Sequence, residues 1–388
     1  MPVIVNSEPV SMSLTPEISA FIITVMIGFS VTALSMPVMI ALGKRWGIVA
    51  RAGGRRTNEG DQRGVSKLGG VAVFLGFTCA IVAAQYLNVP RFDPNEVIRL
   101  TGLLIGGTLM CAVGVLDDKY ELNPVQLGAA QIIVAGIAIF FQIFIETFNN
   151  PLTGQQVDGW PHIVTVTLTM FWLGLMINTV NFMDGLDGLV GGISLITGIV
   201  LFIHSAFILN QTSVSLLPLA LVGSSAAFLL YNFYPARIFL GGGAMYLGYV
   251  IGVLAIIGGA KMATILLVMG LPLMDLTWQV ANRLRQGRNP MLGDRGHIHL
   301  RLLDIGLTQR QIVSIYYLFC ACFGTLTLIT SSQMFKFIAF STMILLIMAG
   351  FMLVAQLGQN LSSSDDTGSP SDSSSAVSSS TTSSSSSS

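Results

Sequence analysis

Charge is what this 388-residue chain has least of. Only 10% of its residues are Asp, Glu, Lys or Arg, 52% are hydrophobic, and the mean hydropathy is +0.73. Soluble globular chains carry about 25% charged residues, so a water-soluble domain is excluded and a domain count from length does not apply. Acidic and basic residues balance at 19 each. Bulk charge therefore points to no partner, and nucleic acid is not expected as one. Cysteine is also sparse: Cys79, Cys111, Cys320 and Cys322 all lie in apolar runs, which argues against disulfides or a zinc site and reads as packing. The N-terminus has no basic n-region, so a cleaved signal peptide is not expected and the first apolar run is read as retained.

What is present is a series of long apolar runs. A helix needs about 20 apolar residues to cross the hydrocarbon core. Runs of this kind centre on 18–42, 68–88, 98–116, 125–145, 162–180, 188–209, 214–231, 244–258, 262–281, 311–331 and 335–355. The expectation is an all-α, polytopic membrane protein of about eleven spans over residues 1–357. A Ser-rich tail, 358–388, cannot bury a core and is expected to be disordered.

The basic residues set the expected orientation. Lys44, Arg45, Arg51, Arg55, Arg56, Arg63 and Lys67 fill the first loop, and Arg283, Arg285, Arg288, Arg295, Arg301 and Arg310 cluster after the ninth run. With Lys119 and Arg237 they fall on one side; Arg91, Arg99, Lys261 and Lys336 fall on the other. The basic side is expected to be cytoplasmic, with the N-terminus outside and the C-terminus inside. The chain is then a multi-pass protein of the cell (inner or plasma) membrane.

The polar motifs gather on that same side. Asp117-Asp118 closes the third run, and carboxylates at a membrane boundary are costly to desolvate. Adjacent carboxylates can divide the labour between a hard cation and a proton; the plain alternative is a solvated turn. Asn178, Asn181, Asp184 and Asp187 recur every three residues, which places neighbours on one helix face if the helix continues; polar helix-helix glue is the alternative. Arg295-Gly-His297-Ile-His299 offers imidazoles that bind phosphate when charged or orient a substrate when neutral. Lys67 opens the second run, where it meets either a pyrophosphate or lipid headgroups. Gly241-Gly242-Gly243 lacks the strand, Lys and Ser/Thr of a P-loop. Charges at span ends and the lack of an internal repeat argue against a transporter.

Five blocks together resemble the polyprenyl-phosphate N-acetylhexosamine-1-phosphate transferases, in particular the undecaprenyl-phosphate GlcNAc-1-phosphate transferase branch of glycosyltransferase family 4. They are Gly114–Asp118, Asn178–Gly188, Phe239–Gly248, Pro272-Leu-Met-Asp275 and Gly293–Leu307. The resemblance implies transfer of a sugar-1-phosphate, a HexNAc-1-phosphate, from a UDP-sugar to a polyprenyl phosphate. UMP is released, and the product starts a lipid-linked cell-envelope glycan such as lipopolysaccharide or cell-wall polymer. It implies Mg²⁺, with Mn²⁺ as a substitute, and the chain could pair as a homodimer. Catalytic roles fall to Asp117, Asp118 and Asp184. Lys67, Asn178, Asp187, Arg295, His297 and His299 would hold substrate and phosphate, and Asn181 and Asp118 would serve the metal. Two departures stand out. Gly242 occupies the position of the family's usual metal-binding Asp, and Leu300 replaces a His. They motivate a second expectation, a non-catalytic relative that still binds lipid phosphate or nucleotide.

Overall fold

The structure, a computed structural model, describes residues 16–50, 64–146, 148–149, 156–157, 159–258, 262–287, 297–330 and 332–366. The described residues form thirteen helices: α1 Pro16–Trp46, α2 Gly69–Ala84, α3 Glu96–Tyr120, α4 Pro124–Phe140, α5 His162–Met183, α6 Leu189–Ile203, α7 Thr212–Asn232, α8 Gly243–Ile257, α9 Met262–Val268, α10 Gly270–Arg285, α11 Ile298–Asp304, α12 Gln309–Ile329 and α13 Gln333–Asp366. Strands β1 (Phe148–Asn149) and β2 (Gln156–Val157) make a minute antiparallel hairpin between α4 and α5. The protein is an all-α, multi-pass membrane protein. Seven helices have the length and hydropathy to cross a bilayer, eight if α9 and α10 count as one broken span. Three more apolar helices, α2, α4 and α8, are shorter.

Local sequence explains where several helices begin. Asn123 and Gln126 form a reciprocal capping box with Pro124 at the first position of α4, and Thr308 and Gln311 do the same for α12. Both boxes satisfy amides that a helix start leaves unpaired. Two elements depart from the sequence reading. The run 262–281 is not one straight helix; it breaks at Met269, and α10 turns 80° from α9. Gly270 sits hard against the Met343 side chain there, and α10 carries Asp275, Gln279, Asn282 and Arg283, too polar a set for the hydrocarbon. Helix α13 continues to Asp366, past the expected boundary at 357; no Pro interrupts it before Pro370.

Helix α8 is the hub. Its residues from Gly243 to Ala255 are all buried, and α2, α3 and α5 pack around it. Lipid tails are as apolar as a leucine side chain, so close backbone contact between helices must supply the attraction. Glycines provide it: a Cβ on Gly248 would lie 2.6 Å from the Ile177 Cα, and one on Gly28 would lie 3.0 Å from the Ala220 carbonyl oxygen. Two hydrogen bonds reinforce the hub, Trp172 Nε1 to Gly252 O and Tyr249 OH to Gly102 O, each 3.0 Å. Helix α1 lies outermost, with Ile22, Met26, Leu34 and Val38 exposed.

Candidate active site

The chemistry-bearing residues lie where α2, α3, α5, α6, α7 and α8 begin or end. Three chain segments first form a short ladder. Val49 bridges Ser66, and Ser66 bridges Ile238. The amides of Gly69 and Gly70 then donate to the carbonyls of Phe239 and Leu240, both at 3.0 Å. Lys67, half-buried, is fixed by this ladder, and its carbonyl abuts Gly241, whose φ is +67°. Only glycine takes that conformation without strain.

Helix α3 brings in the acidic pair. Gly114 packs directly on Gly242, and a Cβ on Gly114 would sit 2.5 Å from the Gly242 carbonyl oxygen. One turn later, Asp118 Oδ2 accepts the Gly242 N–H at 2.6 Å. The carboxylate thus lies at the start of α8, where the helix dipole favours negative charge. Asp117 and Asp118 are both half-buried. Gly242 has no room for a side chain, because a Cβ there would overlap the Gly114 backbone.

The Asn/Asp stretch does not stay helical. Helix α5 ends at Met183, and Asp184 occupies an inverse γ-turn (φ −75°, ψ 58°) closed by Gly185 N to Met183 O at 2.7 Å. Asp187 therefore leaves the face that Asn178 and Asn181 share. Asn178 pairs reciprocally with Gln131 of α4, its Nδ2 donating at 2.8 Å and the return bond spanning 3.3 Å. Its amide is committed to holding α4 against α5. Asn181 is half-buried in the last turn of α5, and Asp184 is half-buried beyond it. Asp187 is buried, and its Oδ2 accepts the Ala236 N–H at 3.0 Å. Asn232 completes the corner, accepting from Gly188 N at 2.9 Å and donating to Ile238 O at 2.8 Å.

The histidines come in from the chain between α10 and α12. Asp275 Oδ2 lies 3.2 Å from His297 Nδ1 and 3.3 Å from His299 Nδ1, while Oδ1 accepts the Ile298 N–H at 3.0 Å. All three residues are at most 5% exposed. The imidazoles stack with centroids 5.4 Å apart, and Phe182 stacks on His297 at 5.6 Å. His299 Nε2 presses on the Asp184–Gly185 turn, 2.5 Å from where a Gly185 Cβ would stand. Arg295 lies outside the described residues. Leu300 is buried.

The structure thus ties Lys67, Asp118 and Gly241–Gly243 into one contact set, and Asp184–Gly185, His297 and His299 into a second. Segment 232–243 joins them, touching the Asp187–Gly188 corner at one end and Gly69–Gly70 at the other. Sequence reasoning did not single out Asp275 as a site residue. Its signal was a lone acid inside an apolar run, within the block Pro272-Leu-Met-Asp275.

Carboxylates, amides and histidines gathered near the ends of membrane helices make this region the candidate active site of a membrane protein. A family model described as glycosyl transferase family 4 matches residues 100–259. A probable undecaprenyl-phosphate N-acetylglucosaminyl 1-phosphate transferase of Bacillus subtilis is 29% identical over 340 residues, covering 84% of this chain and 90% of the relative. A decaprenyl-phosphate N-acetylglucosaminephosphotransferase of Mycolicibacterium smegmatis is 28% identical, covering 65% of this chain and 68% of the relative. A phospho-N-acetylmuramoyl-pentapeptide-transferase of Listeria welshimeri is 31% identical, covering 63% and 76%. The chain belongs to glycosyl transferase family 4, the polyprenyl-phosphate N-acetylhexosamine-1-phosphate transferases.

Proposed function

We propose that the protein transfers a HexNAc-1-phosphate from a UDP-sugar to a polyprenyl phosphate, releasing UMP, at the cytoplasmic face of the cell membrane. The observation that carries this reading is the meeting of three distant segments at Asp118: the end of α3, the start of α8 and the loop bearing Lys67. The new bond joins a lipid-phosphate oxygen to the sugar-bearing phosphorus, and the bond that breaks is the diphosphate bridge to UMP. Asp117 would take any proton from the lipid phosphate and leave its oxygen as the nucleophile. Lys67 and the histidine pair would hold the diphosphate by charge and hydrogen bonds. The product is a lipid-diphosphate sugar, the starting unit of an envelope glycan.

The chemistry of the donors suits Mg²⁺. Asp117, Asp118 and Asp184 offer hard carboxylate oxygens and Asn181 an amide oxygen, and Mg²⁺ is commonly bound by one or two carboxylates with waters and substrate phosphates. Asp118 commits Oδ2 to the Gly242 amide and would meet the ion through Oδ1. When bound, the ion would neutralise charge on the diphosphate. Asp117→Asn in the purified protein should abolish formation of lipid-diphosphate sugar from radiolabelled UDP-GlcNAc; unchanged turnover refutes the assignment.

A second reading has one specific observation in its favour. Gly242 stands where the family's metal-binding Asp is usual, and the Gly114 backbone fills the space of its side chain. A non-catalytic relative would bind lipid phosphate or nucleotide without turning it over. Robust turnover by the wild-type chain excludes this reading.

A further inference from the structure

Asp275 lies within α10, apart from the acidic pair at the end of α3, and yet both histidines converge on it. A buried carboxylate without partners is costly, several kcal/mol in a low-dielectric setting. Here it has the Ile298 N–H on Oδ1 and the His297 Nδ1 hydrogen-bonded to Oδ2 at 3.2 Å, while the His299 Nδ1 lies 3.3 Å from the same oxygen without hydrogen-bond geometry. An ionised carboxylate only accepts, so the ring nitrogen that meets it must carry the proton. A hydrogen bond of this type fixes both the tautomer and the rotation of a histidine. The opposite nitrogen is then aimed by default, and on His299, stacked on that ring, Nε2 presses on the Asp184–Gly185 turn.

We propose that Asp275 is a positioning residue: it holds His297 as the Nδ1–H tautomer by a hydrogen bond, and His299, stacked on that ring, is thereby set with its Nε2 facing the nucleotide-diphosphate site at the Asp184–Gly185 turn. The placement of substrate there rests on the transferase reading above; the tautomer assignment does not. A three-ligand metal site is the competing use of the same atoms, since they lie within 4.8 Å of one another. The ring geometry opposes it. A bound metal lies close to the plane of each ligating imidazole, and these rings stack with their planes only 22° apart, so their lone pairs run side by side.

The chain holds four histidines, His162, His204, His297 and His299, few enough to resolve individually. Full-length protein labelled with ¹⁵N-histidine in lipid nanodiscs should show an Nδ1-protonated His297 ring, assigned by His297→Gln. Asp275→Asn keeps an oxygen for the Ile298 N–H but puts an amide where Oδ2 stood, and it should move the His297 ring away from that state. The same variant should lower kcat for UDP-GlcNAc by about 10- to 100-fold, the range that losing the orienting partner of a metal-bound histidine costs. Its effect should not add to that of His299→Gln. Two results overturn the proposal: an Nε2-protonated His297 in the wild type, or spectra that Asp275→Asn leaves unchanged. A stoichiometric transition metal in the purified protein, lost in Asp275→Asn, overturns it as well. Should Asp275→Asn fail to fold, the wild-type spectrum still decides. An Nδ1-protonated His297 in a protein without turnover would sink the transferase reading and leave this one standing.

Discussion

Replacing Gly242 by Asp looks, from sequence, like the repair of a missing metal ligand. The packing of α3 on α8 says the opposite. A Cβ on Gly114 would already lie 2.5 Å from the Gly242 oxygen and 2.6 Å from its carbonyl carbon, where carbon contacts settle at about 3.5–4.0 Å. A Cβ on Gly242 meets the Gly114 oxygen, Cα and carbonyl carbon more closely still, and all three are backbone. Two helices must therefore separate by about an ångström. Overpacking of this kind costs about 1–3 kcal/mol, and the separation endangers the Asp118 to Gly242 hydrogen bond, with roughly 1.5–3 kcal/mol at stake for a bond to a charged group. We expect Gly242→Asp and Gly242→Ala to be destabilised by about 2–5 kcal/mol and to lose transfer activity together. The assay is the thermal midpoint in detergent alongside turnover, with Gly136→Ala as control, since a Cβ there meets nothing within 4 Å. A Gly242→Asp protein of wild-type stability with raised Mg²⁺-dependent turnover would refute the reasoning.

Other outcomes follow from the same geometry. Asn178→Ala removes the amide pair with Gln131 and should cost about 0.6 kcal/mol with KM for UDP-sugar unchanged; a large rise in KM would restore its role as a substrate contact. Asn232→Ala orphans Gly188 N and Ile238 O, at roughly 1–3 kcal/mol for each buried group, and should lower the thermal midpoint and turnover alike. Removal of divalent cations by EDTA should stop transfer, and Mg²⁺ should restore it; turnover that persists in EDTA would remove the metal from the proposal.

The apolar runs announced the helical membrane architecture because length and hydropathy are local properties, and the expected runs fall on helices, 262–281 on two. The break at Met269 was less visible in the apolar run, although Gly270 and Pro272 sit just beyond it, where a proline disfavours a continuous helix. Asp117, Asp118 and the His-x-His pair stood out by composition alone. Asp184 and Asp187 stood out too, but their three-residue spacing suggested one helical face, and the γ-turn at Asp184 separates them. The partner of Asn178 could not be read, since Gln131 lies in another helix. Asp275 was hidden for a related reason: a single acid in an apolar run has no local pattern, and only the fold brings it under the histidines.

Segment 232–243 behaves like a turnbuckle between two posts. Its near end is latched by Asn232 and by Asp187 through Ala236, and its far end by Gly69 and Gly70 through the carbonyls of Phe239 and Leu240. A strap with both ends fastened has one permitted length. Adding or deleting a single residue between the latches would throw the acidic pair out of step with the imidazoles, even with every side chain named here left in place.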